Sequence, residues 1–246
     1  LLDTHSHLNF NAYKDDADEV IRRSLDNDVW VINVGSQYST SERAVKMAEK
    51  YKKGVYAAIG LHPIHINNEE FDYEAYKKLT KSKKLVAIGE IGLDYKFKQS
   101  KEKQKEVFLK QLDLAKELDL PMIIHCRFAH NDLIEILQAT RYKLQAVVHC
   151  FTGDSEQAQK YLDMGFYLAF NGLIFKMDLD DVIGKIPLER ILIETDCPYL
   201  TPLPIEGRNE PIYVEYVAKK IAKIKSSSYE AITLATTQNA KKLFKI

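Results

Sequence analysis

Cysteine is scarce in this 246-residue chain. There are three, Cys126, Cys150 and Cys197, an odd number without a short-spaced pair, which excludes a disulfide framework and a zinc ribbon. Ten glycines and seven prolines are too few for a collagen-like or low-complexity chain. Net charge is missing as well, with 35 Lys and Arg against 35 Asp and Glu. A protein that coats nucleic acid would carry a basic surplus. A nuclease stays open, because bound divalent cations can place positive charge where a phosphate must sit. Long apolar runs are absent too. The longest are strand-sized, such as Met122-Ile123-Ile124, so no transmembrane helix of about 20 residues can be placed. The opening residues, Leu1 to His7, have neither a basic nor an apolar leader region. Together with the cysteine usage, this predicts a cytoplasmic protein with reduced thiols and no membrane partner.

What is present alternates. Short β-branched segments are expected as strands at 1–7, 29–34, 55–62, 85–90, 121–127, 145–151, 167–171 and 191–196. Amphipathic stretches lie between them at 15–27, 40–51, 69–81, 101–118, 129–139 and 155–164, and two more follow at 211–224 and 229–242. Thr40 or Ser41 offers an N-cap for the second helix. Without a Pro/Gly/Ser linker, residues 1–246 are expected to form one domain. Eight strands with intervening helices point to an α/β fold, a (β/α)8 TIM barrel or an open doubly wound sheet. The segment after the first strand, Thr4-His5-Ser6-His7-Leu8-Asn9, is not a glycine-rich phosphate loop, which favours the barrel.

In a barrel, all C-terminal strand ends converge on one mouth. His5 and His7 are expected to end strand one, His62 strand three, Glu90 strand four, His125 strand five, His149 strand six and Asp196 strand eight. Strand parity turns Cys126, Cys150 and Cys197 away from these residues, towards the helix layer. Four imidazoles and two carboxylates exceed what one catalytic ion takes, so two divalent ions are the natural count. Glu90 could bridge them, with His5, His7 and Asp196 around one ion and His125 and His149 around the other. Such a donor set accepts Zn2+ or Mn2+, while Mg2+ favours more oxygen ligands.

At these residues the chain resembles the TatD family of metal-dependent deoxyribonucleases. The resemblance runs through Asp3-Thr4-His5-Ser6-His7-Leu8, Gly60-Leu61-His62-Pro63, Gly89-Glu90-Ile91-Gly92-Leu93-Asp94-Tyr95 and Ile124-His125-Cys126-Arg127. It continues in Val148-His149-Cys150-Phe151-Thr152-Gly153, Glu194-Thr195-Asp196-Cys197-Pro198-Tyr199-Leu200, Arg208-Asn209-Glu210-Pro211 and Asn239-Ala240. It implies an amidohydrolase-type barrel with a divalent-metal centre that hydrolyses DNA, typically from the 3′ end. His5, His7, Glu90, His125, His149 and Asp196 match the metal positions, and Mg2+ is implied as a further candidate activating ion. His62 and Arg127 match positions suited to gripping the scissile phosphate. Two departures stand out: Ile205-Glu206-Gly207 precedes Arg208 where the family is often longer and more basic, and Asn9 stands where an acid is common.

The expected reaction is phosphodiester hydrolysis of single-stranded or 3′-terminal DNA by a monomer. Water activated at two metal ions attacks phosphorus, Asp196 takes up the proton, Glu90 bridges, and His62, Arg127 and Arg208 hold phosphate oxygens. The same metal architecture could instead cleave an amide, a lactone or an aminoacyl-tRNA ester, or serve a non-catalytic binding module. Asp3 and Glu194 are expected to orient ligand imidazoles. Arg127 could also pair with Glu194 or Asp94. Tyr95, Phe97, Phe151 and Tyr199 either stack on bases or cover the mouth. His65 and His130 are expected to face solvent or cap helices, and the Lys runs at 77–84 and 96–105 to be solvated helix faces.

Overall fold

A computed structural model of the protein describes residues 1–140 and 144–246. Eight parallel strands lie side by side in sequence order. They are β1 (Leu2–Ser6), β2 (Trp30–Val34), β3 (Val55–Ile59), β4 (Leu85–Asp94), β5 (Met122–Arg127), β6 (Ala146–Val148), β7 (Tyr167–Phe170) and β8 (Ile191–Ile193). The ring is nearly closed between first and last strand. The Asp196 N–H donates to the His5 carbonyl at 2.8 Å and the His7 N–H to the Cys197 carbonyl at 2.9 Å. The fold is therefore the expected α/β TIM barrel.

Alternation of apolar residues along the strands fills two cores. Leu2, Ile32, Ala58, Ala87, Ile123, Val147, Ala169 and Leu192, one from each strand, point into the lumen. Their neighbours, such as Val31, Ala57, Ile124, Val148, Leu168 and Ile193, pack under the helices. Each fully buried aliphatic side chain contributes about 1.5–3 kcal/mol, so the lumen is a packed plug and leaves only the mouth for chemistry. The outer layer comprises α1 (Ala17–Asp26), α2 (Tyr38–Glu49), α3 (Tyr73–Leu79), α4 (Lys101–Glu117), α5 (His130–Ala139), α6 (Ser155–Asp163), α7 (Asp180–Lys185), α8 (Val214–Ile224) and α9 (Tyr229–Phe244). α9 also places Ala240, Leu243 and Phe244 in the lumen cluster.

Local chemistry sets the ends. The Ser100 hydroxyl caps α4, and Asp154 with Gln157 forms a capping box on α6. Thr40 does not cap α2. The helix starts two residues earlier, behind Gln37, and the Thr40 hydroxyl accepts from the Ser36 and Gln37 N–H groups from within the first turn. α7, six residues long, is too short to show a helical period and was not expected.

Several strand ends differ from expectation in ways that shape the mouth. β4 runs on to Asp94, so Glu90 lies inside the strand rather than at its end. β8 stops at Ile193, and Asp196, at φ 55°, stands in the loop beyond it. β3 ends at Ile59, leaving His62 in the following loop. The pairing of β1 with β2 slips between Asp3 and Ser6, and that of β4 with β5 between Ile88 and Ile91. Such irregularities re-aim side chains, and these two fall on the segments that carry His5 and Glu90.

Candidate active site

The mouth opens on a cavity of about 870 Å³ lined by His7, His62, Glu90, His125, Arg127, His149 and Asp196, among others. Glu90 sits at its floor, buried, with its two oxygens facing different partners. Oε2 is 3.5 Å from His5 Nε2 and 3.7 Å from His7 Nε2. Asp196 Oδ1 completes this group at 3.8 and 3.3 Å from the same two nitrogens, which are 3.2 Å apart. Oε1 is 2.8 Å from His125 Nδ1 and 2.9 Å from His149 Nε2, and those nitrogens are 3.3 Å apart.

These separations match the spacing of donors around a small cation. Ligand atoms about 2.0–2.1 Å from a tetrahedral zinc lie about 3.3–3.4 Å from one another. Proton placement agrees. His7 Nδ1 lies 2.8 Å from the Val34 carbonyl, which can only accept, so in the neutral ring Nδ1 holds the proton and Nε2 presents its lone pair to the group. Likewise His125 Nε2 is 3.0 Å from Asp94 Oδ2, and His149 Nδ1 is 3.3 Å from Glu194 Oε1. In both rings the nitrogen directed at Glu90 donates to that carboxylate when the ring is protonated and, in the neutral tautomer, offers its lone pair to a cation placed between them. Among the described residues, the buried His5 Nδ1 and Glu194 Oε2 have no hydrogen-bond partner. The buried donors fit a divalent-metal centre, with His5, His7 and Asp196 gathered about Glu90 Oε2 and His125 and His149 about its Oε1.

His62 is different. Its Nε2 is 3.2 Å from Glu90 Oε1, and proximity alone groups it with Glu90 and His125 as a possible metal site. Its Nδ1, however, accepts from the Ile64 N–H at 3.1 Å. The neutral ring therefore carries its proton on Nε2 and is a hydrogen-bond donor towards the cavity. Burial, reinforced by the charge of nearby His125, lowers its pKa to about 4, so the ring is neutral at physiological pH.

Electrostatics at the floor is a balance of burial and mutual charge. Burial alone would raise Glu90, but His62, His149 and His125 outweigh it and hold the carboxyl well below its usual range. Burial opposes charging of His149, yet Glu90 and Glu194 carry it well above the ordinary imidazole value. Asp196 is lowered, its burial overcome by His7 and His5. Burial raises Asp3 to about 8 against hydrogen bonds from Thr195 and the His5 backbone. Asp3 touches no imidazole nitrogen: it accepts from the His5 and Thr195 N–H groups and the Thr195 hydroxyl, and so fixes the backbone on either side of the closure.

Other residues fall less as expected. Arg127 is exposed on the cavity wall, with no ion pair to Glu194 or Asp94. Arg208 does not line the cavity. Its guanidinium is bound to both Asp16 oxygens and the Ala12 carbonyl and lies over the Tyr13 ring at 4.2 Å. It braces the loop after β8 against the loop after β1. Phe97 and Tyr199 line the cavity and are 45% and 55% exposed. Phe151 is core, packed against Tyr161 and Phe170, and Tyr95 donates from its hydroxyl to Asp132.

His130 is buried rather than solvent-facing, with Nδ1 3.0 Å from the Tyr161 hydroxyl, and half-buried His65 lines the cavity. Cys197 is buried away from the cavity as expected, Cys126 is buried but also touches the cavity lining, and burial raises all three thiols to about 12. Cys150 breaks the parity rule, because β6 ends before it and φ there is 44°. It lines the cavity, yet none of the metal-competent groups among the described residues includes a thiol. Sequence reading placed Asp94 only as a partner for Arg127. Its position three residues past Ile91 in β4, on the face opposite Leu93, could have placed it beside His125.

A barrel whose mouth holds two donor groups joined through one buried carboxylate is the architecture of a metal-dependent hydrolase. Comparison with known proteins narrows this. The model of the family described as TatD related DNase matches residues 2–245. The uncharacterized metal-dependent hydrolase YabD of Bacillus subtilis (strain 168) is 47% identical over 254 residues, covering 100% of this chain and 99% of that protein. The 3′-5′ ssDNA/RNA exonuclease TatD of Pantoea ananatis is 33% identical over 257 residues, with 99% of each covered. Among solved structures, the TatD homologue YJJV of Escherichia coli K12 superposes with a TM-score of 0.91 at 30% identity, covering 100% of this chain and 98% of that one. The chain belongs to the TatD family of metal-dependent hydrolases. No helix among the described residues is long and apolar enough to cross a membrane.

Proposed function

We propose that this protein is a 3′-to-5′ exonuclease that hydrolyses single-stranded DNA or RNA ends with two divalent ions. The observation that carries the reading is Glu90, whose Oε1 and Oε2 each face a separate donor group at the floor of an open cavity. When bound, two such ions supply a nucleophile at neutral pH and neutralise charge that develops at phosphorus. The rest falls to the chain. Asp196, whose side chain is 15% exposed towards the cavity, accepts the proton of the attacking water. His62 donates from Nε2–H and Arg127 from its guanidinium to non-bridging phosphate oxygens. Phe97 and Tyr199 flank the terminal base. Zn2+, Mn2+ and Mg2+ are the candidate ions. The name of the Pantoea relative supports single-stranded nucleic acid as substrate.

The test is digestion of a 5′-labelled single-stranded oligonucleotide by metal-loaded protein. The expected result is a ladder shortening from the 3′ end, lost with chelator and with Glu90→Gln. Hydrolysis of carboxylic esters or lactones by the same preparation, with the oligonucleotide left intact, would overturn the assignment.

A further inference from the structure

The corner after β5 carries a residue that neither the core nor the cavity uses. Phe128 follows Arg127, is 76% exposed and adopts φ 54°, a left-handed conformation that a bulky side chain takes only against steric resistance. It joins neither apolar core and, among the described residues, makes no ring contact. A glycine would satisfy this turn, so the fold does not require the ring.

Its surroundings match one class of ligand. Arg127 pairs in register with Asp94, and the Tyr95 N–H donates to the Arg127 carbonyl at 2.9 Å. This holds Phe128 next to the segment with exposed Lys96, Phe97 and Lys98. Lys101 Nζ lies 4.3 Å above the Tyr95 ring. The acids at this corner are engaged: Asp132 with Lys105 at 2.7 Å and with the Tyr95 hydroxyl, and Glu102 with the Ser100 hydroxyl. Among the described residues, Lys96, Lys98 and Arg127 have no carboxylate partner. An exposed ring flanked by free cations suits a nucleobase with its phosphates, since stacking tolerates any base and cations follow the backbone.

We propose that Phe128 is a stacking platform for a base on the 5′ side of the scissile nucleotide, over which a single strand leaves the cavity. The proposal rests on the exonuclease reading above. It is tested with metal-loaded wild type, Phe128→Ala and Phe128→Trp on a single-stranded dodecamer and on bis(p-nitrophenyl) phosphate, which is too short to reach the platform. Anisotropy of a labelled, uncleaved phosphorothioate dodecamer reads binding directly.

Phe128→Ala should raise KM and Kd for the dodecamer about tenfold, within the range for loss of one base–aromatic stack. Its kcat, and its rate on the short ester, should be unchanged, and Phe128→Trp should restore binding. If the wild type degrades the dodecamer and Phe128→Ala does so equally well, the platform fails while the nuclease reading stands. An equal loss on the short ester, or no rescue by tryptophan, also overturns it. If the wild type cleaves the ester but neither binds nor degrades the dodecamer, both readings fall.

Discussion

Glu194 holds the imidazole of His149 through Nδ1 at 3.3 Å and leaves the opposite nitrogen directed at Glu90. The same Glu194 oxygen accepts from the Cys150 N–H and the Asn171 amide, so the carboxylate itself is fixed. Replacing it with Gln keeps shape but removes the charge that stabilises a ligating imidazole. Glu194→Gln should bind Zn2+ about 10–100-fold more weakly, with the circular dichroism of the folded protein unchanged. Competition against a chromophoric chelator measures this directly.

His62 and His125 both approach Glu90 Oε1, and their proton placement separates their roles. His125→Gln should lower the metal content of purified protein, because it removes a donor. His62→Ala should leave metal content intact and lower kcat by about 100–1000-fold, the scale for losing one hydrogen-bond donor aimed at developing charge. Elemental analysis alongside oligonucleotide kinetics distinguishes the two. Equal metal loss in both variants would make His62 a ligand.

The raised pKa of His149 gives metal binding a definite pH dependence. Without an ion, Glu90 and Glu194 favour a proton on the ring, against the opposing effect of burial. An ion must displace that proton, so affinity should increase as pH rises from 6 through 8 and decrease as it falls. Calorimetry in buffers of different ionisation enthalpy should show net proton release at pH 7. Proton uptake there would contradict the assignment.

Gly92 passes directly beside the strand that carries His125. Its φ is 142°, and a Cβ built there would lie 2.0 Å from the His125 carbonyl oxygen. Gly92→Ala must push β4 and β5 apart as well as strain its own backbone. We expect a loss of roughly 3 kcal/mol or more, measured by urea unfolding, together with reduced metal content.

Much of this site was legible because period-two strands and a barrel bring distant ends together. His5, His7, Glu90, His125, His149 and Asp196 converge although 191 positions separate the first from the last. What stayed hidden depends on atoms far apart in sequence. The tautomer of His7 is set by the Val34 carbonyl and that of His125 by Asp94. Arg208 looked free for phosphate because nothing local reveals that Asp16 will meet it. The burial of His130 and Phe151 follows from α6 packing Tyr161 against both, a contact no periodicity describes. The ends of β4 and β8 differ from expectation for a related reason: apolar alternation continues through Ile91 and Leu93, whereas beyond Ile193 the chain passes from the β7 side, where the Glu194 N–H donates to Phe170, to the closure, where the Asp196 N–H donates to His5.

In the proposed two-ion reading a single carboxylate, Glu90, belongs to both donor groups, and the two positions are thereby thermodynamically linked. Whatever occupies the His5 side changes affinity on the His149 side by some factor, and occupancy of the His149 side must change the first by the same factor. Titration with one kind of ion should therefore not follow two independent isotherms. A substitution confined to one group, such as His7→Ala, should be felt as a change of affinity at the other, with Glu90 as the carrier.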